Sequence, residues 1–264
     1  MQFHAIQHDV IQGDHKATRA RIESLLEKTS PAEGDFIVLQ EMTDTGWSLE
    51  LDSISNNGTL EWACSLAKQF GVWMQAGWVD YTGTRGSNCA SICSPEGEEK
   101  ARYTKIFTCN PLDENKYFAA GNELVILHIG EMAICPLICY DLRFPEIWRL
   151  ASLEGVDVFT ESSSWPLKRI YHWDALIKAR AIENQAFVVG CNRSGNDTIA
   201  EWGGSSRILS PLGEILAEAP ETGNLVISAN IEYEKARQWR HSFPAMDDIR
   251  KELLGNIKVT HIYA

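Results

Sequence analysis

A thiol, a carboxylate and an ammonium group held in contact can hydrolyse an amide, and this chain sets one of each at the end of a strand-like run. Phe36-Ile37-Val38-Leu39-Gln40 leads to Glu41, Arg102-Tyr103-Thr104 leads to Lys105, and the run from Ile134 to Ile138 leads to Cys139. A strand fixes the residue at its end while the following loop exposes it, so reactive side chains gather there in open α/β sheets. A thiol is a weak nucleophile while protonated, with a free pKa of about 8.5, and amide cleavage also needs a proton for the departing amine. From a partly dry pocket Glu41 can serve both needs: it takes the thiol proton, passes it to nitrogen, and later deprotonates the water that opens the thioester. Lys105 would favour the thiolate and stabilise the tetrahedral oxyanion, with the backbone N–H of Tyr140 as a further donor. One such donor is commonly worth around 3 kcal/mol of barrier. Taken singly, the three residues also fit a core thiol, a loop carboxylate and a solvated strand-end charge. Their combination carries the reading.

Only a fold can bring residues so far apart in sequence together. Strands are expected over 2–8 and 35–40 around a helix over 16–27, where Ile22, Leu25 and Leu26 form an apolar stripe. A helix over 60–70 stops at Gly71, and strand-like runs follow at 73–81, 88–93 and 100–107. Segments 124–129 and 132–140 flank a turn at Gly130, and a helix over 145–153 tolerates Pro145 in its first turn. Strand 156–160, helix 171–184 and strand 186–191 continue the alternation, before late strands at 206–209, 214–217 and 225–231. Mixed strands with outer helices predict a layered α/β sandwich. With no repeat, low-complexity tract or long linker, a single domain over 1–264 is expected.

The composition narrows the partners. At 264 residues and 44% hydrophobic content the chain can bury a substantial core. Its 24 basic and 36 acidic residues give a net charge of −12, which argues against nucleic acid and anionic lipid. No segment reaches the roughly 18 apolar residues of a spanning helix, so a soluble, cytoplasmic protein is expected. Seven cysteines, an odd number spread through apolar segments, suit a reducing compartment and buried free thiols. Cys89/Cys93 and Cys135/Cys139 are spaced unlike a zinc knuckle, so no metal is expected.

Leu39-Gln40-Glu41-Met42, Tyr103-Thr104-Lys105-Ile106-Phe107 and Ile138-Cys139-Tyr140-Asp141-Leu142-Arg143-Phe144-Pro145-Glu146 resemble, in order and spacing, the three signature segments of the nitrilase superfamily of carbon–nitrogen hydrolases. The run from Lys178 to Val188 is similar too, as is Trp202-Gly203-Gly204-Ser205-Ser206 leading to Pro211-Leu212-Gly213-Glu214. The resemblance implies a four-layer αββα sandwich of mixed sheets with outer helices, a homodimer, no metal or organic cofactor, and a Glu41–Lys105–Cys139 triad. It also implies a second glutamate after the lysine segment, for which Glu114 stands in the matching place, although an exposed loop acid fits there as well. Gln40 stands where many members have Pro, and Phe107-Thr108 replaces a frequent His-Leu, which affects pocket shape more than chemistry.

Tyr140 after the nucleophile resembles the amidase branches, since nitrile-cleaving members usually have Trp there. Ser164-Trp165-Pro166 followed by His172-Trp173, with Gly190-Cys191-Asn192-Arg193, is most similar to bacterial omega-amidases, which hydrolyse the terminal amide of 2-oxoglutaramate or 2-oxosuccinamate. A deaminated-glutathione amidase and an N-carbamoyl amine hydrolase are the enzymatic alternatives. Trp165, Arg169 and His172 are the expected substrate-binding residues, with the planar fork of Arg169 suited to a substrate carboxylate. Asp141, Arg143 and Glu146 read as turn and helix-start charges rather than a second acid–base set. A Cys139–His172 hydrolase is a mechanistic rival, and a silent binding subunit would have lost one of Glu41, Lys105 and Cys139.

Overall fold

The computed structural model describes residues 1–253 apart from positions 56 and 82, so the end of the expected 1–264 domain lies outside the described residues. Along the chain run β1 (Gln2–Gln7), α1 (His15–Thr29), β2 (Phe36–Val38), α2 (Leu51–Ile54), α3 (Thr59–Phe70), β3 (Trp73–Tyr81), β4 (Gly86–Cys93) and β5 (Glu99–Thr104). Then come α4 (Glu114–Tyr117), β6 (Leu127–Ile129), β7 (Met132–Ile138), α5 (Pro145–Leu153), β8 (Val158–Ser163), α6 (Ile170–Asn184) and β9 (Phe187–Asn192). The chain closes with β10 (Ser194–Asn196), β11 (Glu201–Gly203), β12 (Arg207–Leu209), β13 (Ile215–Glu218), β14 (Leu225–Asn230) and α7 (Glu234–Ser242).

Period-2 patterning explains the layers. In β1 and β2, Phe3, Ala5, Phe36 and Val38 face inward while Ile6 and Ile37 face helices. One six-stranded sheet has the order β14-β1-β2-β3-β4-β5 and the other β13-β12-β9-β8-β7-β6. Both are mixed: β1–β2–β3 and β7–β8–β9 are parallel, and the outer pairings are antiparallel. The sheets meet through Phe3, Phe36 and Ile92 against Ile134, Phe187 and Val189. Helices α1 and α3 bury Ile22, Leu26, Ala63 and Leu66 on the first sheet, and α5 and α6 bury Trp148, Trp173 and Ile177 on the second. The result is the four-layer αββα sandwich.

Three departures from the expected elements have physical reasons. The strand expected to 140 ends at Ile138, because Cys139 takes a left-handed backbone with φ 47° and opens a 3-10 turn, Cys139–Arg143. Helix α7 had no visible apolar stripe, since Ala236 is its buried residue, and Arg237 and Arg240 tie it to buried Asp157 instead. Cys64 of α3 and Cys93 of β4 are joined as a disulfide with Cα atoms 5.1 Å apart, which corrects the expectation of free thiols for this pair. Their closeness follows from helix-on-sheet packing and not from spacing. Among the described residues no helix is long and apolar enough to cross a membrane.

Candidate active site

The turn after β2 is shaped to present Glu41. Met42 has φ 47°, Thr43 donates its hydroxyl to the carbonyl of Gln40 at 2.8 Å, and the N–H of Gly77 in β3 donates to that hydroxyl at 3.0 Å. Gly77 is required: a Cβ there would lie 2.6 Å from the Gln40 oxygen and 2.8 Å from Cα of Glu41. Lys105 follows β5, its backbone N–H donating to the carbonyl of Asn88 at 2.9 Å. Glu114 opens α4, and the N–H of Cys109 donates to its Oε2 at 2.6 Å.

These three side chains converge out of contact with solvent. Lys105 Nζ lies 2.8 Å from Glu41 Oε1 and 3.0 Å from both oxygens of Glu114. All three residues are at most 1% exposed, so Glu114 is no loop acid, unlike its exposed neighbour Asp113. Burial alone would push the Lys105 ammonium down, but Glu114 and Glu41 overcome it and hold its pKa well above the usual value. Lys105 is thus a fixed positive charge.

Cys139 arrives from the second sheet, and its Sγ sits 3.8 Å from the carbonyl oxygen of Ser164. Burial first, and then Glu41, push its thiol pKa well above the ordinary value, outweighing the pull of Lys105. A thiol held in this way favours its neutral form, and any reaction at the sulfur would need a base beside it. Glu41 reaches the same segment: its Oε2 accepts the N–H of Ser164 at 3.1 Å, the residue whose carbonyl neighbours the sulfur. Tyr140 lies second in the 3-10 turn, where helix starts leave N–H groups without intrahelical acceptors.

Asp141 ties this turn to the Lys105 strand by accepting from the N–H groups of Ile138 (3.1 Å) and Phe107 (2.9 Å) and the hydroxyl of Tyr103 (2.8 Å). Burial raises its pKa to about 7 against those donors and Lys105. Below the cluster Glu161 of β8 is buried with Oε2 unpartnered, and burial followed by Asp141 raises its pKa.

A cavity of about 430 Å³ opens over the sulfur, with Lys105, Cys139, Tyr140, Arg143, Trp165 and Arg169 in its wall. Trp165 is anchored by its indole N–H to the carbonyl of Arg169 at 2.8 Å. Arg143, expected to serve only the turn, lies instead in the cavity wall with its guanidinium 4.5 Å from the Trp165 ring centroid. His172, expected at the substrate, stands behind Arg143 with Nδ1 3.4 Å from both terminal nitrogens, so the Cys–His pairing is not formed. Sequence reasoning also missed Asn88, whose Nδ2 donates to Glu41 Oε1 at 2.8 Å and to Glu114 Oε1 at 3.2 Å. Its only signal was a polar residue inside an otherwise buried strand.

A sandwich that brings carboxylate, ammonium and thiol together under a small cavity defines a hydrolase of carbon–nitrogen bonds. The chain belongs to the carbon–nitrogen hydrolase family, whose model matches residues 5–241. It is similar to the 2-oxoglutaramate amidase of Bacillus subtilis (strain 168), with 35% identity over 94% of this chain and 97% of that protein. It is also similar to the omega-amidase YafV of Escherichia coli (strain K12), with 36% identity over 81% of this chain and 84% of that one. Among solved structures, XC1258 from Xanthomonas campestris, a CN-hydrolase superfamily protein with an arsenic adduct in the active site, has a TM-score of 0.86 at 27% identity and covers 99% of each chain.

Proposed function

We propose that this enzyme is an omega-amidase that cleaves the terminal amide of a short 2-oxo dicarboxylic acid monoamide, 2-oxoglutaramate or 2-oxosuccinamate. The carrying observation is that two arginines, Arg143 and Arg169, share the wall of a small cavity with Cys139 in a chain of net charge −12. A substrate carboxylate needs such local cations, and guanidinium forks bind it through paired hydrogen bonds. The similarity to a 2-oxoglutaramate amidase and an omega-amidase supports the same reading.

In the proposed reaction the sulfur adds to the amide carbon as Glu41 takes the thiol proton. Lys105 and the N–H of Tyr140 hold the oxyanion, and the proton passes to nitrogen so that ammonia leaves from a Cys139 thioester. Water deprotonated by Glu41 then releases the 2-oxo dicarboxylate and restores the thiol. We also propose one domain over 1–264 and a homodimer, the latter supported by exposed Leu150, Tyr171 and Ile182 on the outer faces of α5 and α6. We propose a cytoplasmic location as well, supported by the five free cysteines that stand beside the single Cys64–Cys93 pair.

The test compares Arg169→Met and Arg143→Met on 2-oxoglutaramate and on valeramide, its uncharged analogue of similar length. Each variant should lose roughly 10²-fold in kcat/KM on the carboxylate substrate and far less on valeramide. Equal losses on both would mean that these arginines serve structure and that the carboxylate is held elsewhere.

A further inference from the structure

Glu41 has two chemically distinct oxygens, and the residue that makes them so is Asn88. Oε1 receives Lys105 Nζ and Asn88 Nδ2, both at 2.8 Å, which fills its two lone pairs. Among the described residues Oε2 receives the N–H of Ser164 alone, which leaves it a free lone pair, and the carbonyl of that same Ser164 lies 3.8 Å from Cys139 Sγ. The same Asn88 nitrogen reaches Glu114 Oε1 at 3.2 Å, and the Asn88 carbonyl fixes the backbone of Lys105. One primary amide therefore touches both carboxylates that flank the ammonium.

We propose that Asn88 is a positioning residue that blocks Oε1 and so directs proton transfer between sulfur, nitrogen and water to Glu41 Oε2. The inference rests on Glu41, Lys105 and Cys139 being the reacting groups. The residue type follows from the geometry. Two acceptors must be served by one nitrogen without adding charge, which a neutral amide can do and a hydroxyl cannot. The amide orientation is fixed, since the flipped form would set Oδ1 against two carboxylate oxygens. Oδ1 is left buried with no partner, a stability penalty that an apolar side chain of the same size would avoid. Asn88 thus trades stability for the orientation of Glu41.

The test follows alkylation of Cys139 by iodoacetamide against pH, with intact-mass readout and peptide mapping, which does not depend on the natural substrate. Wild type, Asn88→Ala, Asn88→Ser and Glu41→Gln are compared, with kcat and KM on 2-oxoglutaramate measured in parallel. A carboxylate that loses a donor holds its proton more tightly, so in Asn88→Ala the low-pH limb should move up by about one pH unit. The rate at pH 7 should fall roughly tenfold, with kcat affected more than KM, and Asn88→Ser, which keeps one donor, should fall between. A limb in Asn88→Ala that superimposes on wild type, while Glu41→Gln abolishes it, overturns the inference and leaves the triad standing. A limb that survives in Glu41→Gln overturns the triad and the inference with it. Should Asn88→Ala fail to fold, the limb of Asn88→Ser decides: shifted upward it supports the role, unshifted it overturns it.

Discussion

One methyl group placed behind the Glu41 backbone should disable the enzyme. In Gly77→Ala the new Cβ falls 2.6 Å from the Gln40 carbonyl oxygen, 2.7 Å from Met42 N and 2.8 Å from Glu41 Cα. Carbon contacts settle near 3.5 Å, so the turn and β3 must separate by about 0.8 Å. All three atoms are main chain, and no rotamer change can relieve the overlap. The turn is also stapled to Gly77 in both directions, by Gly77 N–H to the Thr43 hydroxyl and Thr43 N–H to the Gly77 carbonyl at 2.9 Å. Overpacking of this kind costs about 1–3 kcal/mol of stability. A carboxylate displaced by most of an ångström costs roughly 10²-fold in rate. The assay is kcat and KM on 2-oxoglutaramate beside a thermal melt of the same sample. The expected result is a melting point a few degrees lower with kcat down about a hundredfold well below the transition. A folded Gly77→Ala enzyme with wild-type kcat would refute the claim that this contact sets the position of Glu41.

Lys105→Gln should lower kcat by roughly 10²–10³-fold with a smaller change in KM, because its charge acts on the transition state; a change confined to KM would remove that role. Stability should also respond to the buried acids. Asp141 and Glu161 are both raised above their ordinary values, so their contribution is complete below pH 4 and is lost as pH rises, for Asp141 through about 7. Glu161→Gln removes one of these groups without changing its shape, so its melting point should match wild type near pH 4 and exceed it increasingly towards pH 8. A difference that does not vary with pH would show that Glu161 is not held protonated.

The strand-end logic singled out Glu41, Lys105 and Cys139 because each follows a segment that reads locally as a strand, and the structure brings Glu41 and Lys105 into contact. Glu114 came from the resemblance, and its burial could not be read from a segment rich in charge. Asn88 and Arg143 stayed hidden for a different reason. Asn88 matters through the register that sets Cys89 opposite Thr104, and Arg143 through the packing of Trp165, and neither leaves a periodic trace. The same holds for His172, which sits near the chemistry in sequence pattern yet spends its ring on Arg143. The sandwich layers were legible from alternation. Helix α7, held by ion pairs to Asp157, and the Cys64–Cys93 pair were not, since both depend on contacts between distant segments.

The order of strands bears on when the enzyme first becomes active. Glu41 and Lys105 hang from the first sheet and Cys139 from the second, yet β14 returns to the first sheet only after the second is complete, pairing with β1 from Gln2↔Asn230 to Gln7↔Leu225. During synthesis the edge of β1 therefore stays open until residues 225–230 have left the ribosome. A chain that stops short of β14 carries Cys139 without the finished sheet that supports Glu41. The sheet that holds Glu41 and Lys105 is therefore completed by a strand that follows every strand of the other sheet in the chain.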